Sequence, residues 1–154
     1  MLYFAYGSNL DWNQMRRRCP SAKFVCVARL ADHCLAFTRK SSCRGCGVAD
    51  AVPQNGHEVW GVVYETPETE IGELDQAEGF KPGRTKNAYV REQRHVLADG
   101  DEGKPMAVWV YFASRQKKPP PPSVGYKKLI VDGANFWHLP SEYIEELEKI
   151  EAVN

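Results

Sequence analysis

The chain has 154 residues, of which 43% are hydrophobic and 26% charged, amounts that suit one domain with one core and a polar surface. Its 20 basic and 20 acidic residues cancel, which gives no electrostatic reason to expect nucleic acid or an acidic membrane as a partner. No apolar run approaches the roughly 20 residues that span a bilayer, and the first residues lack the regions of a signal peptide. We therefore predict a single domain over residues 1–154, located in the cytoplasm.

The five cysteines are an odd number, which favours free thiols over a disulfide framework. Cys43 and Cys46 have the C-x-x-C spacing, but this pair supplies only two of the four ligands of a structural zinc site. The pair also lies in a Ser/Gly-rich loop rather than between a strand and a helix, where a thioredoxin-like motif would lie. We interpret both as incidental loop thiols, with zinc and redox chemistry as the alternatives, and predict no metal site.

The N-terminal elements are a strand and a short helix. The aromatic run Leu2 to Tyr6 predicts a buried strand, which ends in a tight loop at Gly7-Ser8-Asn9. Asp11 to Arg18 predicts a helix, with Asn9 or Asp11 as its N-cap and Pro20 as its stop. The basic run Arg16-Arg17-Arg18 is interpreted as the solvated end of this helix, with a contact to an anion or substrate as the alternative.

The middle of the chain predicts further strands separated by loops. Four runs have strand composition: residues 23–30, 34–38, 47–52 and 59–64. Ala31-Asp32 separates the first two, a polar loop from Arg39 to Arg44 follows, and Pro53-Gln-Asn-Gly56 has strong turn chemistry. We therefore expect four separate short strands here.

Thr66-Pro67-Glu68 predicts the start of a second helix, since it offers a cap residue, proline at the first helical position and acids in the first turn. Apolar residues at Ile71 and Leu74 fit one helical face, and the helix is expected to end at Glu78-Gly79.

The C-terminal half predicts a hairpin and two helices. Residues 89–96 and 106–112 read as paired strands joined by the turn-rich Asp99 to Gly103. Ser123 is expected to cap a helix through about Val131, and Ser141 a last one through Ile150. The six or seven strands and three or four short helices predict an α+β fold, a mixed sheet or small β-barrel with flanking helices.

Two features suggest chemistry. After the first strand, Tyr6-Gly-Ser-Asn9 allows a sharp turn that exposes backbone N–H groups able to hold a carboxylate or an oxyanion. Glu78 closes a helix at the end where the helix dipole disfavours negative charge, so its pKa should tend upward. From the residues alone, an ordinary strand end and a solvated helix-end glutamate remain the alternatives.

Several blocks resemble the γ-glutamylcyclotransferase family, and especially its animal-type members. They are LYFAYGSNL (2–10), CVARL (26–30), EVWGVVY (58–64), LDQAEGF (74–80), PPSVGYKKLIVDGA (121–134) and LPSEYIEELEKIE (139–151). The blocks occur in the family's order and cover nearly the whole chain. Residues 41–55 depart from the pattern, although Gly47-Val-Ala49 resembles a Gly-Ile-Ala segment, and this loop could reshape specificity.

The resemblance implies a small mixed barrel with Glu78 as the catalytic acid/base. It implies that the γ-glutamyl group of the substrate is bound by the loop residues and by tyrosines: Tyr3, Tyr6, Gly7, Ser8, Asn9, Tyr111 and Tyr126. Tyr89 is a further candidate whose alignment stays open, because residues 84–87 resemble an insertion.

The implied reaction is the intramolecular aminolysis of a γ-glutamyl amino acid or amine, which releases 5-oxoproline and the free amine within glutathione metabolism. No metal or organic cofactor is expected, and a homodimer is implied only by the relatives. Three alternatives are a cyclotransferase for a specialised amine, a non-catalytic γ-glutamyl or small-ligand binding module of the same fold, and a cysteine hydrolase. Cys43 and Cys46 lack an identifiable histidine partner for the last of these.

Overall fold

The computed structural model describes residues 1–154 and contains five β-strands, four α-helices and two single-turn 3-10 helices. The strands and α-helices are β1 (Leu2–Ala5), α1 (Trp12–Arg18), β2 (Lys23–Lys40), β3 (Gly47–Glu65), α2 (Ile71–Ala77), β4 (Tyr89–Ala98), β5 (Pro105–Ala113), α3 (Val124–Phe136) and α4 (Ser141–Glu148). The 3-10 helices, Ser8–Leu10 and Glu68–Glu70, precede α1 and α2.

The five strands close into a barrel in the order β1-β3-β2-β4-β5. Neighbouring strands are antiparallel except β1 and β5, which pair in parallel at Tyr3 and Trp109. Closure removes the unpaired edges that an open sheet would expose. The predicted α+β fold with a mixed barrel and outer helices is confirmed.

The expectation of four separate strands in the middle of the chain is wrong, because β2 and β3 are long strands of 18 and 19 residues. Their pairing is interrupted between Ala31 and His33, where Asp32 adopts a φ of 58°. The Asp32 carboxylate accepts a hydrogen bond of 3.1 Å from the backbone N–H of Gly56, whose own φ is 82°. The turn-forming residues thus build a bulge and do not reverse the chain, which gives five strands rather than six or seven.

The first helix forms as predicted, and the second ends as predicted, but its start differs: the predicted Thr66-Pro67-Glu68 start lies at a single 3-10 turn, Glu68–Glu70, without a side-chain cap, and α2 itself begins at Ile71. The Asp11 carboxylate caps α1 by accepting a hydrogen bond of 2.9 Å from the backbone N–H of Gln14. Helix α2 ends at Ala77, and Gly79 follows with a φ of 68°. A side chain there would also lie 2.9 Å from Ala88 Cβ, so this position requires glycine.

The last two helices differ from the prediction at their ends. Ser123 caps α3 as expected, but the helix continues past the predicted end near Val131 to Phe136, and Gly133 within it packs directly against Leu10. A Cβ at Gly133 would lie 2.6 Å from Leu10, so glycine permits close packing instead of ending the helix. Ser141 is the first residue of α4, not its cap, and α4 ends at Glu148.

One contiguous hydrophobic core fills the barrel and continues under the helices. Phe4, Tyr64 and Leu74 are among its largest fully buried side chains. This core fixes β1 and α2, whose ends carry the Tyr6–Asn9 loop and Glu78. None of the helices has the length and apolar character required to cross a membrane.

Candidate active site

The predicted site residues, scattered over the chain, meet around one cavity. Its walls are formed by Tyr3, Tyr6, Gly7, Ser8, Asn9, Ala49, Glu78, Tyr89, Tyr111 and Tyr126. All eight residues predicted to catalyse or bind are on this wall, together with Ala49 and Tyr89. We call this space the inner cavity.

The loop from Tyr6 to Asn9 leaves β1 and turns directly into a 3-10 helix. The backbone N–H groups of Gly7, Ser8 and Asn9 donate to no acceptor within the protein, whereas the next two N–H groups close the turn. A Cβ on Gly7 would lie 3.2 Å from Ala49 Cβ, so glycine lets the loop approach the opposite wall. Three consecutive free donors beside a cavity can bind an anion or a developing oxyanion.

Asn9 links the loop to the ionisable groups of the site, and only 2% of its surface is exposed. Its side-chain amide donates to the Tyr3 hydroxyl at 3.0 Å and to Glu78 Oε1 at 3.2 Å. Its amide oxygen accepts from Gln14 Nε2 at 2.9 Å and from Arg18 Nη1 at 3.0 Å. These four hydrogen bonds fix the orientation of the Asn9 amide.

Glu78 lies just beyond the last turn of α2, with 16% of its side chain exposed. Burial away from water raises the pKa of its carboxyl group, while the positive charges of Arg18 and Arg44 and the hydrogen bond from Asn9 partly oppose this. Arg18 Nη1 is 3.5 Å from Glu78 Oε1, a distance too long for a strong hydrogen bond. The upward direction agrees with the expectation from the sequence, but desolvation is its main cause.

Three of the wall tyrosines support the backbone around the cavity. The Tyr6 hydroxyl donates to the Tyr111 carbonyl at 2.6 Å, and the Tyr89 hydroxyl donates to the Ala49 carbonyl. The Tyr126 hydroxyl accepts from the Ala49 N–H at 3.0 Å. Burial raises the pKa of Tyr126 to about 12, so this hydroxyl stays protonated near neutral pH.

A second and larger space, which we call the outer groove, opens beside the inner cavity. The two spaces share four wall residues: Ser8, Glu78, Tyr89 and Tyr126. The remaining wall comes largely from the end of β2 and the loop after it, including Arg39, Lys40, Cys43 and Arg44. The outer groove is thus the continuation of the cavity past Glu78.

Arg18 and Arg44 come from segments that the sequence left open. Of the basic run at the end of α1, Arg16 and Arg17 are exposed, whereas Arg18 contacts Asn9 and Glu78. The guanidinium of Arg44 lies 5.0 Å from the centre of the Tyr126 ring and donates to Gln14 Oε1 at 2.8 Å. No sequence signal identified Arg44, because its partners are 30 and 82 positions away.

The cysteine pair divides between surface and interior. Cys43 is exposed on the outer groove, Cys46 is buried, and all five cysteines are free. No group of three or more His, Cys, Asp or Glu side chains lies close enough together to hold a metal ion. The groups gathered around Glu78 are instead neutral hydroxyls and amides, together with positively charged guanidinium groups. These groups suit proton transfer and carboxylate binding.

Comparison with known proteins agrees with the observed barrel fold. The family model described as gamma-glutamyl cyclotransferase, AIG2-like, matches residues 3–128. The chain therefore belongs to this family.

Individual relatives are similar over most of their length. The chain is 40% identical to the gamma-glutamylcyclotransferase of Homo sapiens over 154 residues, covering 97% of this chain and 78% of that protein. The protein of the same name from Bos taurus is 39% identical with the same coverage. A solved structure named gamma-glutamyl cyclotransferase superposes with a TM-score of 0.89 at 39% identity, covering 100% of this chain and 89% of the other.

Proposed function

We propose that this protein is a γ-glutamylcyclotransferase in which Glu78 is the general acid/base. The observation that carries the proposal is the position of the Glu78 carboxylate, largely buried in the inner cavity beside the free N–H groups of the Tyr6–Asn9 loop. The named relatives support the reaction class. The assignment of roles to individual residues is our inference from chemistry and geometry.

The reaction joins two groups of one substrate molecule. The α-amine of a γ-glutamyl compound attacks the carbonyl carbon of its own side-chain amide, a new C–N bond closes a five-membered lactam, and the original amide C–N bond breaks. Because both reactants are already connected, the inner cavity needs chiefly to hold the reactive rotamer, which provides a large effective concentration. The products are 5-oxoproline and the free amine, and no water is consumed.

Proton transfer is the step for which Glu78 is suited. With ordinary pKa values of about 4.3 for glutamate and about 8 for an α-amine, moving the ammonium proton to glutamate is uphill by roughly 5 kcal/mol. The buried surroundings of Glu78 raise its pKa and would lower that of a bound ammonium, which narrows the gap from both sides. A carboxylate in water would lack this advantage.

The proton balance defines the second role of Glu78. Overall, two protons leave the attacking nitrogen and two reach the departing nitrogen, so the amine product is released as an ammonium. Glu78 accepts a proton from the attacking amine and returns one to the departing nitrogen as the amide bond breaks. The N–H groups of Gly7, Ser8 and Asn9 would hold either the α-carboxylate of the substrate or the oxyanion of the tetrahedral intermediate.

Three further parts of the proposal rest on the sequence. A cytoplasmic location is expected from the sequence analysis above, and the odd number of cysteines, which favours free thiols, agrees with it. A homodimer and a place in glutathione metabolism follow only from the family resemblance.

The test is 5-oxoproline release by the wild-type protein, measured with γ-glutamyl-alanine, glutathione and γ-glutamyl-ε-lysine. Release from any of these supports the cyclotransferase, and the ranking identifies the class of leaving amine. A folded protein that binds a γ-glutamyl compound without releasing 5-oxoproline would instead be the non-catalytic binding module. Release of glutamate in place of 5-oxoproline, abolished by thiol alkylation with the fold intact, would favour the cysteine hydrolase over the cyclotransferase.

A further inference from the structure

The outer groove carries a concentration of positive charge that the composition does not explain. The chain as a whole has equal numbers of acidic and basic residues. The residues that line the groove nevertheless include four cationic ones, Arg18, Arg39, Lys40 and Arg44, and only one acidic one, Glu78. This local imbalance should attract and hold negative charge.

Three of these four cations have no carboxylate partner. Arg18 is the one that pairs with Glu78, at 3.5 Å. Arg39 donates to the backbone carbonyl of Ser114 at 3.0 Å, and Arg44 contacts only neutral partners, the Gln14 amide and the Tyr126 ring. The side chain of Lys40 makes neither a salt bridge nor a hydrogen bond, and the residue is exposed. The groove therefore has positive charge available for a ligand.

The outer groove lies where the departing amine of the reaction would lie. With the γ-glutamyl group in the inner cavity and its amide at Glu78, the substituent on the amide nitrogen continues past the shared wall of Ser8, Tyr89 and Tyr126. That path leads towards Lys40, at the end of β2, and Arg44, in the loop after it. The groove thus contacts the part of the substrate that differs between γ-glutamyl compounds.

We propose that the outer groove selects γ-glutamyl compounds whose departing amine carries two carboxylates, as an acidic amino acid does. This inference rests on the proposed function and adds the class of substrate. One α-carboxylate would neutralise one of the three unpaired cations and leave two without an anion. A second carboxylate, on the side chain of the departing amino acid, gives the two remaining cations a partner. Because Arg39 is partly buried, its attraction to this carboxylate is stronger than it would be in bulk water.

The matched substrates γ-glutamyl-glutamate and γ-glutamyl-glutamine test the proposal, since they have nearly the same shape and differ by one negative charge. We expect wild-type kcat/KM to be about tenfold higher for the glutamate compound, mainly through a lower KM, and we expect about 0.5 M salt to reduce this preference. Lys40→Gln should reduce the preference about threefold without changing the fold, because the side chain is exposed and has no partner.

The control variant is Lys104→Gln, which removes an exposed positive charge in the turn between β4 and β5, away from both spaces. It should retain the full preference. Equal kcat/KM values for the two substrates in the wild type, or a preference that survives both salt and Lys40→Gln, would overturn the groove inference alone. Absence of 5-oxoproline from both substrates would overturn the groove inference alone if γ-glutamyl-alanine is still converted, and would overturn the proposed function as well if no γ-glutamyl compound is converted.

Discussion

Two carboxylates three positions apart near the end of α2 lie in contrasting surroundings. Asp75 accepts two hydrogen bonds from Arg91, at 3.0 and 3.3 Å, and one from the Tyr111 hydroxyl at 2.5 Å. Glu78 receives one amide hydrogen bond from Asn9 at 3.2 Å and a distant contact from Arg18 at 3.5 Å. The negative charge of Asp75 is thus compensated by strong hydrogen-bond donors and that of Glu78 is not, although both carboxylates are buried from most of the solvent.

The difference shows how one helix supplies a structural acid and, in the proposed function, a reactive one. A buried carboxylate with a two-point arginine contact and a hydroxyl donor has its charge satisfied and connects α2 to the barrel. A buried carboxylate with weaker partners retains a tendency to take up a proton, and here it faces the cavity. The number and length of the hydrogen bonds to each carboxylate distinguish the two roles.

The largest expected effect on stability comes from Asp75→Asn. This substitution leaves the Arg91 guanidinium, 13% exposed, without its anion, and we expect the free energy of unfolding to fall by about 3 kcal/mol. Urea unfolding followed by circular dichroism measures the change. Glu146→Gln, which removes a carboxylate from an exposed ion pair on α4, is the control and should change stability little. Equal, small effects of both variants would contradict the structural role of Asp75.

A smaller effect of opposite sign is expected from Glu78→Gln. The raised pKa means that the folded protein holds this proton more tightly than the unfolded chain does. Stability contributed by protonated Glu78 is therefore lost as the pH rises from the ordinary carboxyl pKa through the raised one. Glutamine resembles the protonated form, so the variant should be more stable than the wild type by about 1 kcal/mol at pH 8.

The difference in the free energy of unfolding between Glu78→Gln and the wild type should depend on pH, and this dependence tests the prediction more sharply than the value at one pH. Below the ordinary carboxyl pKa, Glu78 is protonated in both folded and unfolded chains, so the difference between variant and wild type should disappear. Glu73→Gln, an exposed substitution on the same helix, should show no such trend. A Glu78→Gln protein that is less stable at pH 8 than at pH 4, relative to the wild type, would show that Arg18 and Arg44 outweigh desolvation.

Local sequence signals predicted the fold class, the capping of α1 and α3 and the end of α2, because each depends on a few adjacent residues. They failed at Asp32 and at Pro53–Gly56, where turn-forming residues build a bulge in two paired strands. A bulge and a chain reversal use the same local conformations. Only the pairing of residues more than twenty positions apart distinguishes them.

The candidate site, like the fold, was predictable only in part from the sequence. The family resemblance singled out Glu78 and the Tyr6–Asn9 loop, and the structure brings them together with the named tyrosines. The dipole argument gave the direction of the Glu78 pKa but not burial as its main cause. Arg18 and Arg44 could not be assigned, since the charge near Glu78 depends on how α1 and the loop after β2 pack in three dimensions.

The central claim is that Glu78 is the acid/base, and the turnover of Glu78→Gln tests it most directly. The variant, shown to be folded by circular dichroism, is assayed for 5-oxoproline release beside the wild type and Glu73→Gln on the best γ-glutamyl dipeptide. We predict that kcat falls by about 10³-fold in Glu78→Gln and stays within about twofold of wild type in Glu73→Gln. A Glu78→Gln protein whose kcat remains within about tenfold of the wild type would contradict the account.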